Sequence, residues 1–361
     1  MVGIWQSQSC NLSQVANYLP LATQAESRVT LIRRWLTPAL ACGASVNPHV
    51  KVWSFDKQVL EHGLSGGSDV EACWIWDGVR VFGDRWQIFR VSLRQGCRAI
   101  PIAWTIVEGN GLVKVNQLSS LLEKAQRFLK RYVKRVTLLV DAGFRDCDGA
   151  PLCQDLGWNY AIRIACNTYI TLPEGTSDRL DNLVPANRNR YFQNVLLTRE
   201  TKLQTKVSVT WTTDEKGKPD MVPIIPLAGI ITDQVACRAR LREYSGRMSI
   251  EQSFREDKSG GFDLEHTRLQ HAQRMDHLLL ALAIATLGCH ELGEFVWQHG
   301  EPARCLVDPA HERTLSLFQL GLRWLKRFLA TGLLFLPDFQ ALLSNLKLRP
   351  VVIPITQNSN V

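Results

Sequence analysis

Close cysteine pairs are missing from this sequence. Its ten cysteines, at positions 10, 42, 73, 97, 147, 153, 166, 237, 289 and 305, never stand as C-x-x-C, so the ligand spacing of zinc fingers and ribbons is absent. Several lie in apolar runs, as Cys73 does in Ala-Cys-Trp-Ile-Trp, and read as small buried hydrophobes of a reducing compartment. Neither H-E-x-x-H nor a P-loop occurs, which removes two common routes to hydrolytic chemistry. The N-terminus MVGIWQSQSC lacks the basic-then-apolar order of a secretion signal. The most apolar stretch, 278–289, falls short of the ~20 residues that span a bilayer. The expectation is a soluble intracellular chain, with no internal repeat and no low-complexity segment.

What is present is ample material for a core. The chain has 361 residues, 45% of them hydrophobic, enough for a large central domain with helical attachments. Lys and Arg number 42 against 34 Asp and Glu, a formal net charge of +8. That surplus suits an anionic partner, nucleic acid first among them.

Along the chain, residues 12–18 and 23–36 read as short helices, the second ending in Arg33-Arg34-Trp35. Such a pair either grips a phosphate backbone or caps the core. Residues 70–76 form an apolar, aromatic run that marks a strand buried on both faces. Two further strand-like runs, 85–94 and 98–107, meet at a Gln95-Gly96 turn, so the three predict an antiparallel meander. Val115, Leu118, Leu122, Ala125 and Leu129 share a helix face within 113–132, and residues 114–135 carry seven basic side chains against one acidic, Glu123. A strand at 136–140, a short helix after Gly149 and a strand at 159–164 follow. The predicted fold class is α/β: a ribonuclease H-like mixed sheet, three antiparallel strands and then β-α-β.

The expected divisions are an N-terminal helical region over 1–69, the first part of the core over 70–166 and a β-rich insertion over 167–228. A segment over 229–300 holds a charged helix and a buried apolar helix, 275–297, and a C-terminal helical region covers 301–361, with helices at 314–330 and 337–347.

Two acids stand at strand ends: Asp77 after Trp74-Ile75-Trp76, and Asp141 after Leu138-Leu139-Val140. A carboxylate there is costly unless a cation waits for it. One alone reads as a loop cap; two on neighbouring strands point to shared divalent metal. A third acid, Glu251, lies in a charged segment with Tyr244 seven residues before it, Arg247 four before and Lys258 seven after. On one continuous helix these four would share a stripe about 60° wide, at ~100° per residue. The plainer account of that segment is a solvated helix with an Arg247–Glu251 pair. Among rivals, Asp84 reads as a turn residue, Asp148 as a helix cap before Gly149-Ala150-Pro151, Asp146 as a loop residue, and Glu256 and Asp257 as lying off the Arg247–Lys258 face.

Tyr244, Arg247, Glu251 and Lys258, spaced Tyr-x2-Arg-x3-Glu-x6-Lys, resemble the Y-R-E-K signature of bacterial insertion-sequence DDE transposases. Asp141-Ala142-Gly143-Phe144 and Trp76-Asp77-Gly78 are similar to the family's second and first aspartate motifs, and Pro101-Ile102-Ala103-Trp104 to its third-strand segment. The likeness covers roughly residues 70 to 290. Departures are Ala142 where many members carry Arg, and Ser245-Gly246 where bulkier residues stand; Gly inside a helix costs ~1 kcal/mol relative to Ala, so the helix is a candidate to kink or restart there. The N-terminal region is also short for the family.

The resemblance implies that Asp77, Asp141 and Glu251 are catalytic and hold two Mg²⁺ ions, with Mn²⁺ as a substitute, for cleavage at transposon ends and strand transfer into target DNA. It implies DNA contacts from Tyr244, Arg247 and Lys258. In members that pass through a hairpin an aromatic from the insertion stacks on a flipped base, and Trp211 is the insertion's sole Trp. Terminal inverted repeats and target DNA are the implied partners, a homodimer on DNA the implied assembly, and a nucleoid-associated, cytoplasmic setting the implied location.

Overall fold

The computed structural model describes residues 2–37, 71–109, 111, 113, 115–129, 133–141, 149–185, 188–197, 203–211, 227–298, 304–310 and 312–331. The expected helix at 337–347 and the rival acids Asp146 and Asp148 lie outside them.

The architecture is mixed α/β, one large, mostly antiparallel sheet clad by helices. Helices α1 (Val2–Ser7), α2 (Leu12–Asn17) and α3 (Ala25–Leu36) precede β1 (Glu71–Val81), β2 (Trp86–Gln95) and β3 (Arg98–Glu108). Then come α4 (Val115–Leu129), β4 (Arg135–Val140), α5 (Gly149–Asp155) and β5 (Asn159–Ile164). The next stretch holds β6 (Tyr169–Thr171), β7 (Ser177–Arg179), α6 (Leu180–Leu183), β8 (Arg190–Leu197), β9 (Leu203–Trp211) and β10 (Leu227–Thr232). Helices α7 (Arg238–Ser245), α8 (Met248–Asp257), α9 (Ala272–Gln298) and α10 (Leu317–Thr331) follow.

The ten strands form one sheet in the order β3-β2-β1-β4-β5-β10-β9-β8-β6-β7. The first three strands are the expected meander, and β4 and β5 run parallel to β1. Strand β10 pairs antiparallel with both β5 and β9, so the strands of 167–228 prolong the sheet beyond β5 instead of standing apart from it.

Alternation along the strands sorts the core into two faces. Trp74, Trp76, Leu138 and Val140 point to one face, where they pack with Leu121, Leu122 and Ala125 of α4 and Cys153 of α5. Cys73, Ile75 and Leu139 point to the other, beneath Tyr244, Ile250 and Phe254 of α7 and α8. Further along, Val81, Trp86, Ile88 and Trp104 pack with α9, α10 and the N-terminal helices.

Helix α9 is long and apolar enough to cross a membrane by length and composition, yet most of it is buried inside the fold. It crosses α10 at glycines: a Cβ on Gly293 would sit 1.8 Å from the Leu317 carbonyl oxygen, and one on Gly321 1.9 Å from that of Cys289. The N-terminal helices cap this core. Trp5 is buried and its indole N–H donates to the Ala285 carbonyl at 3.1 Å, while Arg33 and Arg34 stay exposed on α3. For the described residues the capping role is the one the packing displays.

Candidate active site

Strand register brings the first two acids together. In the parallel pairing of β1 with β4, Trp76 stands opposite Val140, so Asp77 and Asp141 are the next residue on each strand. Both follow residues of the α7–α8 face, Ile75 and Leu139 being two positions before them, so period-two alternation turns both carboxylates toward those helices. Asp77 accepts from the Gly78 amide at 2.7 Å.

The helices deliver the third acid. The chain does restart at Ser245-Gly246: α7 ends, Gly246 caps it, and Arg247 (φ −56°, ψ −34°) leads into α8. A Cβ on Gly246 would lie 2.1 Å from the Arg94 guanidinium carbon, and Arg94 uses that space to donate to the Glu243 carbonyl at 3.1 Å. The stripe drawn for Tyr244, Arg247, Glu251 and Lys258 on one continuous helix is therefore divided between two, the break falling at the glycine where a restart was expected.

All three acids meet one guanidinium. Arg247 Nη1 donates to Asp77 at 2.7 Å, Nη2 donates to Glu251 at 2.7 Å, and Nη2 lies 3.8 Å from Asp141. The arginine side chain is 5% exposed, against 16% for Asp77, 30% for Asp141 and 45% for Glu251. Burial pushes the Asp77 carboxyl up to about 6; Arg247 and the Gly78 amide oppose the rise, and Asp141 and Glu251 add to it. Burial works against the charge of Arg247, but Tyr244, Asp141, Asp77 and Glu251 around it outweigh that and hold it protonated.

Tyr244 sits on the strand side. Its hydroxyl donates to the Val140 carbonyl at 3.2 Å and reaches Asp141 at 3.5 Å. Burial raises the phenol above its usual range, and Arg247 opposes the rise. It therefore steadies the end of β4. Lys258 caps α8, donates to the Arg80 carbonyl at 2.7 Å and pairs with Glu265 at 3.1 Å, with none of the three acids among these partners. Trp211 is the last residue of β9, paired in register with Leu227, and its side chain lies outside what is described. Asp84 adopts a left-handed turn conformation (φ 65°) and pairs with Arg80 at 3.4 Å.

Two arginines escaped the sequence reading. Arg163 on β5 approaches Asp141 at 3.7 Å. Arg90 on β2, directly opposite Asp77 in register, donates to Asp257 at 2.5 Å and to Ser253 at 3.3 Å, with its guanidinium 4.9 Å from the Phe254 ring centroid. Asp257 is buried, as is Glu256, which pairs with His290 of α9 at 3.1 Å. The available signal was a charge inside an apolar strand, in Ile88-Phe89-Arg90-Val91 and Ala161-Ile162-Arg163-Ile164.

Among the described residues, no three His, Cys, Asp or Glu side chains stand close enough together to hold a metal ion. The acids gather around the guanidinium, which takes the position between them. The donor set nonetheless fits a hard divalent cation: three carboxylates, no sulfur and no imidazole. A buried cation already stands among them.

No protein-family model matches the chain, and no curated protein matches it. Among solved structures it is similar to a piggyBac transposase synaptic complex with hairpin DNA, seen by cryo-EM. Identity is 10%, the TM-score 0.38, and the alignment covers 94% of this chain and 67% of that one. A likeness at that level leaves the chemistry to the site's own residues.

Proposed function

We propose that this chain is a transposase of the DDE type, cutting DNA strands with divalent metal and joining the freed ends to target DNA. The observation that carries the reading is the convergence of Asp77, Asp141 and Glu251, from β1, β4 and α8, onto one buried arginine. The sheet order β3-β2-β1-β4-β5, with β1, β4 and β5 parallel, supports a ribonuclease H-like core. Both aspartates follow the carboxyl end of the parallel pairing, where open sheets of this kind bind ligands.

Asp77, Asp141 and Glu251 would hold Mg²⁺, with Mn²⁺ as substitute; when bound, the metal supplies charge neutralisation at the scissile phosphate and lowers the pKa of the attacking water. The chain's own groups position this site. Tyr244 fixes the end of β4, and with it Asp141; Arg90, Ser253 and Asp257 fix α8, and with it Glu251. Arg247 presents a planar fork suited to a phosphate. Lys258 and Trp211 are proposed as further DNA contacts, and two copies of the chain as the assembly that pairs the element's ends.

The test is cleavage of a duplex carrying the DNA that flanks the gene, by purified wild type, Asp141→Asn and Glu251→Gln. Mg²⁺-dependent cleavage should be lost in both variants, by at least the ~10²-fold expected when a group acting on the transition state is removed. Undiminished cleavage by either variant refutes the site. Cleavage without joined products identifies a nuclease of the same core, and absence of metal binding identifies an inactive DNA-binding remnant.

A further inference from the structure

We propose that Arg247 is a displaceable counter-ion: it neutralises the three acids in the metal-free protein and passes to a DNA phosphate as metal takes the carboxylates, coupling the two binding events. The proposal rests on the reading of Asp77, Asp141 and Glu251 as metal ligands.

The geometry singles out this arginine. Arg247 is the cation among the described residues that touches all three acids. Arg163 reaches Asp141 alone. Arg90 is held by Asp257, Ser253 and the Phe254 ring. Lys258 is engaged with Arg80 and Glu265. The fork takes one oxygen of each acid and stands between them, so a divalent ion entering there meets a like charge at close range and competes for the same carboxylates. Metal entry therefore favours the fork's departure.

A second observation points to where it goes. The Nε–H of Arg247 is buried and has no hydrogen-bond partner, although the residue is 4% exposed. An unpaired donor on a buried cation is costly. A phosphate can accept from Nε and one Nη together, the bidentate pairing that the present arrangement leaves unused. Arg247 already has helical backbone angles at the entry to α8, so its side chain can turn outward without the helix reforming.

The sign of the coupling follows. Once a phosphate draws Arg247 away, the acids lose their counter-charge and bind a divalent cation more tightly; by linkage, metal raises DNA affinity by the same factor.

The experiment titrates Mn²⁺ onto the full chain by electron paramagnetic resonance, with and without a blunt duplex oligonucleotide at low salt. In the wild type the duplex should tighten Mn²⁺ by about tenfold, within the ordinary range for coupled sites. In Arg247→Gln, Mn²⁺ alone should already bind about as tightly as to the DNA-bound wild type, and the duplex should change little. Arg247→Lys, which keeps charge without the fork, should fall between. Coupling of equal size in wild type and Arg247→Gln, or unchanged Mn²⁺ affinity in that variant, overturns the proposal. If Arg247→Gln fails to fold, the absence of coupling in the wild type does so alone. Asp141→Asn separates the two levels: should it bind Mn²⁺ as tightly as the wild type, the metal site itself is wrong.

Discussion

Burying a guanidinium is expensive unless acceptors surround it, and Arg90, Arg163 and Arg247 all lie on the sheet face that carries the acids. Each of these strand or helix arginines faces a carboxylate remote in the chain. Glu291 on α9 shows the converse. Burial pushes its carboxyl up to about 7; Arg98, 3.9 Å away, opposes the rise and Glu294 adds to it. Between an ordinary glutamate value and 7 the folded state binds more protons than the unfolded, so stability falls as pH rises through that window. Glu291→Gln should therefore stabilise the protein at pH 8 by about 1–3 kcal/mol and do nothing at pH 4. Urea unfolding at the two pH values measures this, and equal effects at both would contradict it. Tyr244→Phe should cost about 1 kcal/mol, the net worth of one hydrogen bond, with the loss of its link to Val140; thermal unfolding checks it. Asp77 and Asp141 were legible because carboxylates at the ends of apolar runs are conspicuous, and Glu251 was legible through its spacing from Tyr244, Arg247 and Lys258. Arg90 and Arg163 were visible as charges but not as partners, because Asp257 lies 167 residues from Arg90 and no local pattern announces such a pair.

Helix α8 is the element on which the site turns. Its apolar residues Ile250 and Phe254 seat it on the sheet, while its last two residues, Glu256 and Asp257, point their charges inward. Asp257 ties it to β2 and Glu256 to α9, so the helix is clamped near its C-terminal end and presents Glu251 from the turn before. Removing one partner of a buried pair strands the other: Asp257→Leu or Arg90→Met should each cost about 3–5 kcal/mol in denaturant unfolding. The double variant Arg90→Met with Asp257→Leu should recover much of that. Equal additivity of the two single losses would show that the pair is not coupled. The sequence disclosed that glycine would interrupt this segment but not that Arg94, from β2, would lie against it, since nothing local announces a contact between those two stretches. Helix α1 had no bounds assigned from sequence for a different reason: six residues give too few turns for a periodic pattern.

At the scale of the molecule, the ten-stranded sheet is braced on one side by α4 and α5 and on the other by α7 to α10. The meander and the β-α-β unit were plain from apolar runs and turn chemistry, and so was the buried character of α9. That the strands of 167–228 would extend the same sheet was not, because edge pairing between β5 and β10 is a contact across more than 60 residues. The α9–α10 crossing is closest where Gly293 meets Gly321, and Gly321→Ala should destabilise the fold by about 1–3 kcal/mol through overpacking. A thermal midpoint unchanged from wild type would show that the helices can part without penalty.

The pairing of Trp76 with Val140 makes the candidate chemistry a matter of parity. A sheet offers each residue only two addresses, up or down, and adding one residue before Asp77 or Asp141 reverses the answer for everything after it. Single-residue insertions upstream in β1 or β4 would therefore turn the proposed ligands Asp77 or Asp141 away from α8 even where the chain still folds, whereas a two-residue insertion that keeps the count even leaves their facing unchanged.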